Sequence, residues 1–315
     1  MKPQFRNIVL SGGAFKASAF IGCYKYLEEH GGTESVRNVI GSSAGSIIGF
    51  LICLGYTWKQ MRDFVVVEAK AFSEQEIDIE SIFNIFYTLG IDDGAEAIRV
   101  FERALQTKYP NHDVHMTFLT LAKITGKNFV VCGSNITTAS ATYFGVDTTP
   151  HMEVTKALRI SVSIPMIMTP VIEGNDLYVD ASLFNNFPIE YFHDKNLPFT
   201  DTLALIISTP SSPIALDNLN MLAYMKLMLE SIFKRVNQKK EKLMSSPTNV
   251  IVDIVLEDDM FDFEKFKLIM DSNSLDKFID HGYSQLHNIL VVQEHEHEHA
   301  TVINQDAAVE DETNA

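Results

Sequence analysis

The stretch NVIGSSAGSIIGFLICLGY, residues 38–56, decides the fold. Read with Val36 and Arg37 before it, it opens as a short apolar strand, VRNVI (36–40). Two glycines flanking a pair of serines follow, and then the apolar run SIIGFLICLG (46–55). That order predicts a strand, a sharp turn and a buried helix. Gly41-Ser42-Ser43-Ala44-Gly45 also fits G-x-S-x-G, in which a serine sits on a strand-to-helix elbow and small neighbours relieve the crowding. Such a turn sets Ser43 at a helix N-terminus, where free N–H groups and the dipole favour developing negative charge. An ordinary tight βα turn satisfies the same residues, so the motif alone weighs both readings about evenly.

The segments outward from this turn repeat its logic. RNIVL (6–10) is a short apolar strand ending in Ser-Gly-Gly, and a helix follows with Phe20, Cys23, Tyr24 and Leu27 at helical spacing. Two strand–helix units in succession predict right-handed βαβ connections and a largely parallel sheet. Residues 57–125 read as mostly helical, including SIFNIFYTLGI (81–91) and a helix over 94–107. Strands are predicted at 128–137, 141–146, 202–208 and 249–256, and helices at 153–163, 218–243 and 274–292. VIEGNDLYVD (171–180) reads as a hairpin turning at Gly174, Asn175 and Asp176. The polar, acidic residues 293–315 have the composition of a disordered tail.

Composition narrows the classes. The chain has 315 residues, 46% hydrophobic and 21% charged, which are globular values with room for a sizeable core. A net charge of −16 argues against nucleic acid as a partner, because phosphates repel such a surface. Three cysteines, Cys23, Cys53 and Cys132, lack C-x-x-C spacing and sit in apolar surroundings, so they read as buried free thiols. The first residues lack a signal-peptide core, and the apolar run Ile47 to Tyr56 is about half of the roughly 20 residues a membrane span requires. The expectation is a soluble, intracellular protein, or one held peripherally at a membrane.

A serine nucleophile needs a base and an oxyanion hole. LSGGAFKASAFIG (10–22) places Gly12 and Gly13 just past the first strand, where bare backbone N–H groups can approach a ligand, with Lys16 at the start of the helix. The same glycines suit a phosphate-binding or purely structural turn. The dinucleotide fingerprint fails, since Ala14 and Ala17 stand where it needs glycine, and a phosphate loop fails for want of G-K-[ST]. Asp180 closes the strand LYVD and precedes ASLFNNFPI (181–189). An aspartate at a strand end points to the carboxyl edge of the sheet, where α/β sites lie, although capping the next turn is its commoner role.

Taken together, SGGAFKA (11–17), GSSAG (41–45) and VDASLFNNFPI (179–189) resemble the patatin-like phospholipases. That family combines a glycine-rich oxyanion loop, a G-x-S-x-G elbow and an aspartate followed by Asn-x-Pro. ALRISVSIPMIMTPV (157–171) is also similar to the family's stretch before its catalytic aspartate. The resemblance covers residues 5–210 and implies a three-layer α/β fold, a mostly parallel central sheet with helices on both faces, with 211–292 expected as a C-terminal extension packed on the same domain. It implies a Ser43–Asp180 dyad without a catalytic histidine, acting on fatty-acyl esters of phospholipids or glycerolipids. The backbone of Gly12, Gly13 and Ala14 would hold the oxyanion, Gly41 and Gly45 would support the elbow, and Lys16 would fix the loop or favour an anionic head group. It implies no metal and no cofactor, a lipid substrate, and transient contact with a membrane surface. Ala14, Ala17 and Ala181-Ser182 depart from the family's glycines, and because alanine resists positive φ a reshaped loop is expected. That departure motivates the alternative of a weak or inactive lipid-binding protein of the same fold.

Three further features compete for a role. His281 or His287 could complete a triad in the order Ser, Asp, His. EHEHEH (294–299) could bind a soft divalent metal, though a solvated acidic tail is the plainer reading. The Met-rich helix ends in Lys234, Arg235, Lys239, Lys240 and Lys242, and is read first as a helix packed on the sheet and second as a membrane-surface helix.

Overall fold

The computed structural model describes residues 4–73, 87–195, 200–208, 249–256 and 273–292, with positions 224, 227, 228 and 231. β1 (Asn7–Leu10) and β2 (Asn38–Ser42) lie parallel with α1 (Ala19–Glu29) between them in sequence, the predicted βαβ unit. A separate short pair is formed by β3 (Gly90–Asp92) and β6 (Met166–Met168). β4 (Asn128–Asn135) is parallel to β2, whereas β5 (Ser140–Gly145) and β8 (Asp176–Val179) run antiparallel to β4. β7 (Val171–Glu173) pairs with β8 in a hairpin. β9 (Thr202–Ser208) and β10 (Val250–Val255) extend the parallel part beyond β1. The main sheet thus has eight strands in the order β10-β9-β1-β2-β4-β8-β7, with β5 also on β4.

The two-residue period of the central strands divides the core into two layers. Ile8 and Leu10, Val39, Phe129 and Val131, and Leu203, Leu205 and Ile207 join the larger cluster, which holds the buried faces of α1 and of α2 (Ala44–Cys53). Their alternates Val9, Ile40, Val130 and Ala204 point the other way, against Phe187, Ile189, Tyr191 and Phe192. Strands covered on both faces read as continuous apolar runs, as these do. α2 is buried on nearly every side, which accounts for its unbroken apolar sequence without a bilayer. Among the described residues no helix is long and apolar enough to cross a membrane.

Helical residues 273–292 cover α1 through Leu275, Phe278, Ile279 and Leu286, all buried. Arg62 on α3 (Trp58–Ser73) grips Asp276 of that helix through two hydrogen bonds, 2.6 and 2.7 Å long. The three cysteines are buried thiols outside any disulfide, and burial pushes the Cys53 thiol up to about 12.

Several boundaries differ from expectation. β2 starts and ends two residues later than predicted, so the strand runs directly into the elbow. The hairpin turns on Gly174 and Asn175 alone, because Asp176 already pairs with Glu173. The stretch expected to be mostly helical contains β3, and β6 was not expected either. Three-residue strands are too short to show a period. The tail 293–315, residues 81–86 and nearly all of the Met-rich segment 218–243 lie outside the described residues.

Candidate active site

Strand register brings the candidate pair together. β5 occupies one edge of β4 over Val130 to Asn135. On the opposite edge β2 pairs up to Ser42 with Cys132, while β8 pairs Tyr178 and Val179 with Asn135 and Ser134. β2 is parallel and β8 antiparallel to β4, so the two approach end to end along one edge. The residues just past their ends, Ser43 and Asp180, therefore meet opposite Gly133. Ser43 Oγ donates to Asp180 Oδ2 at 2.7 Å.

Ser43 stands on a strained elbow, at φ 49° and ψ −129°, a conformation costing roughly 1–3 kcal/mol in a non-glycine residue. Neighbouring contacts hold it there. Its N–H donates to Ser161 Oγ at 2.9 Å, and its carbonyl accepts from Ser46 Oγ at 2.6 Å. Gly45 is required by close approach, since a Cβ there would fall 2.3 Å from the Ser11 carbonyl oxygen, and one on Gly41 would fall 2.4 Å from Ser46 Cα.

Asp180 is 1% exposed and Ser43 8%. Asp180 Oδ1 accepts the Ser182 N–H at 2.8 Å. Burial pushes the Asp180 carboxyl up to about 6, with the hydrogen bonds from Ser43 and Ser182 opposing. The backbone of Asp180 and Ala181 is fixed by the carbonyls of Ser163 and Ser161, at 2.8 and 3.1 Å. The buried guanidinium of Arg159 donates to Ser163 Oγ, to the carbonyls of Asp93 (2.9 Å) and Thr169 (2.8 Å), and to Thr169 Oγ1. Ser161, Ser163 and Arg159 thus support both members of the pair, and sequence reasoning did not single them out. Their signal is polar residues set inside the apolar run ALRISVSIPMIM.

The glycine-rich loop passes over Ser43. A Cβ on Gly12 would come within 3.1 Å of Ser43 Cβ and 2.6 Å of Ser182 Oγ. The Gly12 N–H donates to the Asn186 carbonyl at 2.9 Å, so it is committed within the fold. Among the described residues no acceptor is bound by the N–H of Gly13 or Ala14. Ala14 lies at φ 47°, a left-handed conformation that alanine resists. The Lys16 ammonium is buried and donates to the Leu256 carbonyl at 3.0 Å, which ties the loop to the end of β10.

Neither histidine candidate is hydrogen-bonded to the pair. His287 sits beside Tyr26 and Tyr283 on the outer side of α1, with ring centroids 5.7 and 6.5 Å away, and His281 lies on the same helix. Among the described residues no group of three His, Cys, Asp or Glu side chains could hold a metal ion, and the EHEHEH segment lies outside them.

A mostly parallel sheet between helices, presenting a serine on a strand-to-helix elbow against a buried aspartate, places the chain in the class of α/β proteins built around such an elbow. The chain belongs to the patatin-like phospholipase family, whose sequence profile matches residues 8–193. It is 28% identical over 213 residues to "Probable lipid hydrolase 463L" of Invertebrate iridescent virus 6, covering 65% of this chain and 71% of that protein. It is 29% identical over 198 residues to an uncharacterized protein of Acanthamoeba polyphaga mimivirus, covering 61% and 62%. Among solved structures it resembles VipD from Legionella pneumophila, with a TM-score of 0.53 and 14% identity over 92% of this chain and 67% of that one, a likeness of fold.

Proposed function

We propose that the chain is a serine acyl hydrolase that cleaves fatty-acyl esters of phospholipids or glycerolipids. The observation that carries this reading is the 2.7 Å hydrogen bond from Ser43, on its strained elbow, to the buried Asp180. Family membership and the viral relative's printed name support a lipid as the substrate. Ser43 Oγ attacks the ester carbonyl carbon while Asp180 Oδ2 takes its proton. The oxyanion is held by the N–H groups of Gly13 and Ala14, each worth roughly 3–4 kcal/mol by analogy with other hydrolases. The tetrahedral centre collapses as Asp180 returns the proton to the leaving alkoxide. Asp180 then deprotonates a water that attacks the acyl-serine, releasing fatty acid and restoring Ser43. Ser182 N–H keeps the second carboxylate oxygen in place. Lys16, buried against Leu256, serves the loop and not a head group.

The test is fatty-acid release from phospholipid, monoacylglycerol and triacylglycerol by the wild type, Ser43→Ala and Asp180→Asn, with fluorophosphonate labelling of Ser43. Loss of activity of roughly 10⁴-fold in both variants, with His281→Ala and His287→Ala active, supports the dyad. A wild type that hydrolyses nothing on this panel and resists labelling points instead to a lipid-binding protein of this fold.

A further inference from the structure

The loop that passes over Ser43 is held from two sides, and both holds come from chain beyond residues 8–193, the segment that the family profile matches. On the first side β9 fixes the start of the loop. Ser11 N–H donates to the Leu205 carbonyl at 3.0 Å, and Ser11 Oγ accepts from the Ile207 N–H at 3.0 Å. On the second side the loop enters a five-residue 3₁₀ turn, Ala14–Ser18, and then α1. A turn this short has weak internal hydrogen bonding and takes its shape from its surroundings.

Those surroundings come from the C-terminal part of the chain. The Phe15 ring meets Phe278 edge to face, with centroids 6.0 Å apart. Lys16 Nζ donates to the Leu256 carbonyl at 3.0 Å. Helix 273–292 crosses α1 backbone against backbone at Ala19, its first residue. A Cβ on Gly282 would fall 1.9 Å from the Ala19 carbonyl oxygen. The contact repeats one turn on, where a Cβ on Gly22 would fall 1.8 Å from the Ile279 carbonyl oxygen and Cys23 Sγ donates to the Gly282 carbonyl at 3.2 Å. Residues 15, 16 and 19 are therefore all gripped by chain beyond residue 255, just after Gly13 and Ala14, whose amides bind no acceptor among the described residues. Ala14, between the two anchors, is kept at a φ of 47° that an unrestrained alanine leaves.

We infer that Leu256 and helix 273–292 form a clamp that sets the angle of the Gly13 and Ala14 amides over Ser43, with Phe278 and Gly282 as its positioning residues. The role given to those amides rests on the hydrolase reading above. Oxyanion donors act through preorganised geometry, so a small tilt of the loop lowers the rate of the chemical step and leaves substrate binding nearly unchanged.

The experiment compares Phe278→Ala, Phe278→Leu and Gly282→Ala with Asp276→Asn in the full chain. Asp276→Asn loosens the same helix at its contact with Arg62 on α3. Phe278→Ala and Gly282→Ala are expected to lower kcat about 10- to 100-fold with KM within about twofold. The rate of fluorophosphonate inactivation falls in parallel, and Phe278→Leu recovers most of both. Asp276→Asn lowers Tm but keeps kcat within about twofold. Hydrogen–deuterium exchange over residues 12–16 accelerates in the first two variants and not in Asp276→Asn. If Phe278→Ala and Gly282→Ala lose Tm yet keep wild-type kcat, inactivation rate and loop exchange, the helix is a cover and not a clamp. Should Gly282→Ala fail to fold, the Phe278 pair decides. A wild type without activity or labelling defeats the hydrolase reading, while loop exchange still reports on the clamp.

Discussion

Ser43 and Asp180 are 137 positions apart in sequence and 2.7 Å apart in space, because β2 and β8 meet end to end on one edge of β4. The same arrangement buries the carboxylate. Desolvation places its pKa at about 6, between that of an ordinary aspartate and that of a histidine base. A base of this strength is ionised at neutral pH and still able to hold a proton in passing, as the proposed dyad requires.

The first prediction concerns pH and rate. In the proposed mechanism Asp180 accepts the Ser43 proton only when ionised. kcat/KM for a soluble acyl ester is therefore expected to rise tenfold per pH unit below about 6 and to level off above it. The measurement is a pH–rate profile of the wild type. An acidic limb centred near pH 4, or a limb that disappears in His281→Ala, would assign the base elsewhere.

The second concerns pH and stability. A carboxyl held at about 6 instead of 3.8 favours the protonated form in the folded chain. Below about pH 4 it is protonated in both states and costs nothing. From there to about pH 6 the unfolded chain ionises first, so wild-type stability falls as pH rises, by up to about 3 kcal/mol. Asp180→Asn removes that cost and is expected to be inactive yet more stable than wild type by about 1–3 kcal/mol at pH 8, with the gap closing by pH 4. Urea denaturation at the two pH values measures it, and equal stability at pH 8 sinks the argument.

How much of this was legible follows from the physics of each signal. The elbow was visible because an apolar strand, small residues and an apolar helix are all local, and the two-sided burial of β1, β2, β4 and β9 leaves continuous apolar runs. From its own residues Asp180 was visible as a strand end, and the family resemblance of VDASLFNNFPI is what paired it with Ser43. What joins it to Ser43 is the shared edge of β4, a non-local pairing that no window of sequence contains. The supports at Arg159, Ser161 and Ser163 escaped for the same reason, since their partners at Ser43, Asp93 and Asp180 come from other elements. β3 and β6 escaped because they are three residues long. That Ala14 itself adopts a positive φ was not legible, because alanine resists that region and the contacts that hold the loop there come from other elements, so the strain falls on the alanine.

That strain gives the third prediction. Ala14 at φ 47° costs roughly 1–2 kcal/mol relative to glycine, and glycine returns about 0.5–1 kcal/mol of that through the entropy of the unfolded chain. Ala14→Gly is expected to stabilise the protein by about 0.5–1 kcal/mol while keeping its hydrolytic rate within a fewfold. A shift in the urea midpoint at constant slope reads this, and a destabilised variant would mean that the neighbouring contacts favour the methyl group.

The fourth prediction tests how Ser43 is held on its elbow. Ser161 Oγ accepts the N–H of Ser43 at 2.9 Å, and the Ser161 carbonyl accepts the N–H of Ala181 at 3.1 Å, so one residue contacts the backbone at both halves of the pair. Ser161→Ala keeps the second contact and removes the first. It leaves the Ser43 N–H buried without an acceptor, at a cost of about 1–3 kcal/mol in stability. Ser43 sits in a conformation it would leave if released, so the loss also reaches the reaction: kcat is expected to fall by about tenfold or more, with KM little changed. Ser161→Thr retains a hydroxyl and should recover much of kcat if its added methyl is accommodated. A Ser161→Ala variant that loses stability but hydrolyses at the wild-type rate would show that β2 and α2 alone hold the elbow.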